Sequence, residues 1–253
     1  LPAIADPNLI YPDYYQKPFH AYEEGNLCWL AAFEAEAATY SMAMRIWPQE
    51  NLSWQEANAR LRGTFHEVLA QAIPPDEVRD ILDLGCSVGL STRALHEFYA
   101  QRQSQLPHTV GIDLSPYMLS VAQAGDTTGA IAQWLHAPAE ATGLRDASFD
   151  LVALQFVTHE LPRTAARAIF QEALRLLRPG GTLAIADNNP KSTVIQNLPP
   201  ALFALMKSTE PWSDDYFTFD IEAALAELGF ADIITTETDP RHRAIIARKV
   251  ALP

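Results

Sequence analysis

Cysteine is nearly absent from the sequence: Cys28 and Cys86 are the only two in 253 residues. Two cysteines cannot make a disulfide framework, and without a C-x-x-C pair the common cysteine zinc sites are excluded as well. No metal-ligand set is read elsewhere. Positive charge is also scarce. Eighteen Lys and Arg stand against 31 Asp and Glu, a formal net charge of −13. Such a surface repels phosphate backbones and anionic lipid at long range, which argues against nucleic acid as a partner. Long apolar runs are missing too, and nothing approaches the ~18 uncharged apolar residues of a membrane span, so no integral membrane segment is expected. There is no basic segment followed by an apolar stretch of the leader type, and a cytoplasmic location is the default. Because the first residue is Leu1 and not Met, an organelle interior stays open if a targeting peptide once preceded it. What is there is enough to fold: hydrophobic residues make up 48% and charged ones 19%, which supports a substantial core.

The chain changes character near residue 75. Residues 1–25 are rich in Pro and Tyr, which favours an extended aromatic arm over a helix. An Ala/Glu-rich stretch from Asn26 to Ile46 reads as a helix stopped by Pro48. Ser53, with Glu56 three places on, is a capping box opening a second helix to about Ile73. Trp29, Met42, Met44 and Trp47 are read as packing residues of this front section, which the paired prolines Pro74 and Pro75 close. Residues 1–75 are thus expected to form an aromatic arm and helical cap, and 76–253 a second unit. That second unit alternates short apolar runs (Ile81–Leu84, Thr109–Ile112, Ile131–Leu135, Leu151–Phe156, Thr182–Ala186, Ile233–Thr236, Ala244–Ala247) with helix-period stretches near 91–103, 115–124, 164–177 and 221–228. Strand-helix alternation predicts a mostly parallel α/β sheet with helices on both faces and a ligand at the strands' carboxyl ends.

The sharpest local signal is Ile81-Leu82-Asp83-Leu84-Gly85-Cys86-Ser87-Val88-Gly89-Leu90, a strand running through a glycine-bearing turn into a helix. A dinucleotide fingerprint would place glycines where Ser87 and Leu90 stand. The turn literally satisfies G-x-S-x-G, so an α/β-hydrolase-like esterase with Ser87 as nucleophile and Asp187 and His242 following in order is a second reading. An esterase elbow, however, follows several strands and an oxyanion loop, whereas two helices precede Ile81.

Taken with its neighbours, the turn resembles that of class I S-adenosylmethionine-dependent methyltransferases. Asp83 matches the acidic residue two places before the first glycine, and Gly85, Ser87 and Gly89 match a G-x-G-x-G loop whose middle glycine is replaced. A serine is tolerable there provided its backbone does not require positive φ. Gly111-Ile112-Asp113-Leu114-Ser115, His136-Ala137-Pro138-Ala139-Glu140, Ser148-Phe149-Asp150 and Arg178-Pro179-Gly180-Gly181 then match later family elements in the correct order. The resemblance covers about Asp80 to Lys249. It is most like the small-molecule, quinone-biosynthesis-like branch (methyltransferase type 11). It implies a Rossmann-like seven-stranded, mostly parallel sheet with an N-terminal helical lid, and S-adenosyl-L-methionine as cofactor.

Carried over residue by residue, the resemblance gives Asp83, Gly85 and Gly89 to the cofactor's methionine end, with Cys86 and Ser87 of the same turn also binding the cofactor. Asp113 and Leu114 fall to the ribose, Ala139 and Glu140 to the adenine, and Gln155 faces the amino group or transferring methyl. Methyl transfer is an in-line displacement in which alignment can account for much of the rate. If the acceptor must lose a proton, His159 in the loop after the fourth strand is the candidate catalytic base. Tyr15, His20, Tyr22, Asn188 and Trp212, with His159, are the candidate acceptor contacts, and an insertion at about 188–217 supplies the acceptor wall. The expected reaction is methylation of a small apolar or aromatic acceptor, with a non-catalytic cofactor-binding module or a protein methyltransferase as alternatives. Asn188-Asn189-Pro190 resembles the Asn-Pro-Pro-aromatic motif only faintly and after the wrong strand. Oligomeric state is not readable.

Overall fold

A computed structural model describes residues 3–251, leaving the outermost two residues of the front arm and of the carboxyl-terminal unit outside the described residues. Its sheet has seven strands: β1 (Asp80–Leu84), β2 (His108–Asp113), β3 (Gln133–His136), β4 (Phe149–Gln155), β5 (Leu177–Asn188), β6 (Phe230–Glu237) and β7 (His242–Lys249). Their order is β3-β2-β1-β4-β5-β7-β6, with β7 antiparallel to both neighbours and the remaining pairs parallel. The Rossmann-like expectation is met. The order reverses between β1 and β4, and a crevice opens there at the carboxyl ends.

Strand alternation distributes the core between two faces. Leu82 and Leu84 of β1, Val152 and Leu154 of β4 and Leu183 and Ile185 of β5 pack under α5 (Arg163–Leu176) and α9 (Ile221–Leu228). Ile81, Leu151, Ala153 and Ala184 face the other way, against α2 (Trp54–Ala72) and α3 (Leu90–Ala100). Asp83 and Gln155 fall on this second face by the same period of two. The helix α4 (Pro116–Gly125) follows β2, with Ser115 as N-cap and Pro116 at its first position.

Of the front section, α2 is also a sheet-covering helix. Its capping box forms as expected, Ser53 and Glu56 each accepting from the other's backbone, and Phe65, Leu69 and Ile73 join Ile81 and Leu95 in one core. The arm and α1 (Trp29–Met44) overhang the crevice. Packing accounts for Trp47, which is buried, but Trp29 and Met44 are 40% and 48% exposed, a correction to the expectation from composition. The inward face of α1 carries Glu34, Ala35, Ala38, Thr39, Met42 and Arg45 at helical spacing. The outward face of this helix carries Trp29, Leu30, Phe33 and Met44, all exposed.

The arm is not extended. It folds into successive turns, of which the tightest pairs Phe19 and Tyr22 by two backbone hydrogen bonds of 3.0 and 2.8 Å. Its two central residues, His20 (φ 50°) and Ala21 (φ 67°), both adopt the left-handed conformation such a turn requires, without a glycine to relieve it. The Pro179-Gly180-Gly181 stretch lies within β5 at a shift of register, where pairing jumps from Phe149↔Leu177 to Leu151↔Thr182. The 188–217 segment carries three short helices, α6 (Thr193–Gln196), α7 (Pro200–Ser208) and α8 (Ser213–Thr218).

Candidate active site

Between the arm, α1 and the carboxyl ends of β1 and β4 lies a cavity of about 850 Å³. That is in the upper part of the range of small-molecule sites, with room for a cofactor and a small second molecule. Of the residues expected to hold a cofactor, Asp83, Gly85, Cys86, Ser87, Asp113, Leu114, Ala139 and Gln155 line it. Gly89 and Glu140 do not. Gly89 initiates α3 beneath the ring of Trp134, where a Cβ would lie 2.4 Å from the indole. Glu140 is turned to the arm and accepts from the Tyr14 hydroxyl at 2.9 Å.

The turn is built by its backbone. Gly85 has φ 75°, and a Cβ there would come within 2.6 Å of Val157, so close packing against protein fixes this glycine. Ser87 has φ 49°. The proviso set by the sequence therefore fails: this position is left-handed, and serine holds it at a strain glycine would not carry. Its N–H donates to Asp113 Oδ2 at 2.8 Å, and the Ser115 N–H donates to Oδ1 at 2.8 Å. Burial raises the Asp113 pKa against these two bonds. Tyr15 from the arm approaches the same carboxylate at 3.4 Å.

Asp83, on the opposite face of β1 from Leu82, accepts from Thr92 Oγ1 at 2.6 Å and from Gln155 Nε2 at 3.3 Å. Burial pushes its carboxyl up to about 6 in spite of those donors. Beyond Gln155, His159 shares a short hydrogen bond of 2.7 Å between its Nδ1 and Asp187 Oδ1, while its backbone N–H donates to Oδ2 at 3.1 Å. Burial alone would lower the imidazole pKa, but the buried Asp187 charge outweighs it and holds the group at about 10.

Among the expected acceptor contacts, Tyr15, His20, Tyr22, His159 and Asn188 line the cavity. His20 reaches it from the strained turn, 3.0 Å from Glu210 and 3.9 Å from Glu160. Trp212 does not line it. It precedes α8, and Ser213 and Phe217, four residues apart on one face of that helix, point inward in its place. The esterase arrangement is not assembled. The Ser87 hydroxyl contacts Met118 Sδ at 3.6 Å, and His242 is paired with Asp239 at 2.8 Å. Three arginines in the lining, Arg45, Arg62 and Arg241, were not read from the sequence. The only hint was Arg62 between the apolar Leu61 and Phe65 of a capped helix.

Comparison with known proteins gives a family model described as Methyltransferase domain, which matches residues 82–185. An uncharacterized methyltransferase of Synechocystis sp., sll0829, is 28% identical over 66% of this chain and 73% of its own. A trans-aconitate 2-methyltransferase of Delftia acidovorans is 36% identical over 54% of this chain, which spans only 48% of that relative's length. Among solved structures, an N-methyltransferase 2 of Haemonchus contortus, in complex with phosphomonomethylethanolamine and S-adenosylhomocysteine, superposes with a TM-score of 0.60. It is 16% identical, with 90% of this chain and 60% of that one covered, a likeness in fold. Among the described residues no helix is long and apolar enough to cross a membrane.

Proposed function

We infer that this chain, whose residues 82–185 are a methyltransferase domain of the class I S-adenosylmethionine-dependent kind, methylates a small acceptor held in the cavity. One observation carries the reading of the cofactor end. Asp113 stands at the carboxyl end of β2, fixed by the Ser87 and Ser115 N–H groups, next to an α3 whose first turn has no side-chain cap. A carboxylate so placed accepts from ribose hydroxyls, and free N–H groups at a helix start suit a carboxylate.

The residues fit the cofactor on those grounds. Asp113 and Leu114 would hold the ribose, Ala139 the adenine, and the 85–87 turn with the start of α3 the methionine end. Glu140 would act from behind, by anchoring Tyr14. When bound, S-adenosylmethionine supplies a methyl group already activated by a sulfonium leaving group. The chain's own work is alignment and exclusion of water. Gln155, held by Asp83, presents its amide at the cavity floor, and the arm closes the roof through Tyr14 and Tyr15. Leu198, Leu202, Leu205 and Phe217 give the acceptor side an apolar lining, which supports an acceptor with an apolar body.

His159 is the candidate for handling an acceptor proton. With its pKa near 10 it is an imidazolium at neutral pH, so it is poised first as a hydrogen-bond donor to the acceptor and becomes a base only as pH rises. Calorimetry with S-adenosylmethionine, S-adenosylhomocysteine and NADH tests the reading. The first two should bind one per chain and NADH should not; a protein freed of co-purified ligand that binds neither sulfur compound would overturn it.

A further inference from the structure

The acids of the cavity have partners, although Glu210 keeps its Oε2 buried without one. Asp83 is held by Thr92 and Gln155, Asp113 by two backbone N–H groups, Glu34 by the Tyr22 hydroxyl, and Glu160 and Glu210 face His20. The arginines do not match them. Arg62, 6% exposed on α2, donates only to the neutral Asn58 side chain, and its Nε is buried without a partner. Arg241, immediately before β7, also has a buried Nε with no partner. Arg45, exposed at the end of α1, donates to the Ser41 carbonyl of its own helix. Among the described residues none of the three forms an ion pair with a carboxylate.

A desolvated guanidinium that no carboxylate touches is costly, although Asp83 and Glu36 act on Arg62, and Asp239 on Arg241, through charge at longer range. Burial pushes Arg62 down to about 10. It lowers Arg241 as well, and the nearby Arg45 charge adds to that. Carboxylates to neutralise them were not in short supply in a chain of net charge −13. Placement is equally pointed. The Arg241 carbonyl accepts from the Asn189 N–H at 2.7 Å, which seats it beside the end of β5 where the apolar 198–217 wall begins. Guanidinium forks pair with planar or tetrahedral oxyanions by two parallel hydrogen bonds.

We propose that Arg241 and Arg45 form an oxyanion-binding wall of the acceptor pocket, so that the acceptor is a small molecule joining an apolar body to a carboxylate or phosphate group. This rests on the methyltransferase reading and narrows its acceptor class. The oxyanion is a handle: the arginines fix the acceptor's register against the cavity floor and take no part in bond making.

The test is sequential calorimetry. S-adenosylhomocysteine is titrated first; failure there sinks the methyltransferase reading itself. The protein saturated with it is then titrated with benzoate, citrate, phenyl phosphate and inorganic phosphate up to ~10 mM, a range that detects millimolar binding. At least one oxyanion should bind, carboxylates and phosphates separating the two sources of the group. Arg241→Met should weaken that oxyanion by roughly tenfold or more while Arg241→Lys retains part of it, as expected for a lost charge-assisted pair. S-adenosylhomocysteine affinity should hold in both variants. The proposal is overturned if no oxyanion binds the saturated protein or if Arg241→Met binds it like the parent. It is equally overturned if cofactor and oxyanion affinities fall together, because the arginines would then serve the cofactor.

Discussion

The Tyr14 hydroxyl donates to both carboxylate oxygens of Glu140, at 2.9 and 3.1 Å, and so ties the front arm to the loop after β3. Burial, reinforced by the Glu140 charge, raises the phenol pKa, which keeps Tyr14 a donor. His136 adds a second fastening, accepting from the Asp6 N–H at 2.9 Å through Nδ1. Tyr14→Phe removes a hydrogen bond to a charged acceptor, and the cost should be about 1.5–3 kcal/mol, less any share lost to solvent. Hydrogen exchange should quicken across residues 3–25 while β1 and β4 stay protected. Unchanged exchange in the arm would show that the bond does not hold it.

Ser87 sits at φ 49° in the turn between β1 and α3. Ser87→Gly relieves left-handed strain of about 1 kcal/mol, partly offset by the greater freedom of glycine in the unfolded chain. A small rise in melting temperature with cofactor affinity retained is expected. A fall would mean that the Ser87 hydroxyl contributes more through Met118 than the backbone loses.

Asp113 provides the clearest affinity test. Asp113→Ala deletes the carboxylate proposed to accept from the ribose hydroxyls and strands the Ser87 and Ser115 N–H groups. S-adenosylhomocysteine binding should weaken by about 1.5–3 kcal/mol. Equal affinity in calorimetry would place the ribose elsewhere.

The pH dependence of stability should carry the signature of His159. Its folded pKa lies above the ordinary histidine value because of Asp187, so the folded state binds the extra proton more tightly. The pair's contribution is therefore complete below pH ~6.5 and fades as pH climbs to about 10. Melting temperature should fall across that window in the parent and fall less in His159→Gln. In turnover assays a base role predicts a rate that keeps rising toward pH 10 and loses that rise in the variant; a flat profile in both would assign His159 to alignment.

Much of the sheet was legible because its signals are local. The β1-turn-α3 unit announces itself through Ile81 to Leu90, and the start of α2 through Ser53 and Glu56. What was not legible depends on long-range partners. Whether Ser87 must be left-handed follows from its N–H reaching Asp113, 26 residues on. The inward face of α1 was hidden because the usual rule is inverted. Trp29, Leu30, Phe33 and Met44 face outward while Ala35, Ala38, Thr39 and Met42 line a cavity, a pattern that composition reads as ordinary packing. Arg45, Arg62 and Arg241 come from three separate elements, and only the antiparallel seating of β7 beside β5 brings the last of them to the mouth of the cavity. Trp212 and Phe217 are equally plausible from composition. The phase of α8 decides between them.

The antiparallel placement of β7 has a kinetic consequence. Because β7 enters the sheet between β5 and β6, the Arg241–His242 segment reaches the same cavity that Tyr14, Tyr15 and His20 roof from the other end of the chain. During synthesis the β1-turn-α3 unit can form early, but the cavity stays open on one side until β7 emerges and inserts. Closing contacts this far apart in sequence is slow. Assembly of the pocket should thus be among the last events of folding, with the turn between β1 and α3 in place well before the cavity is complete.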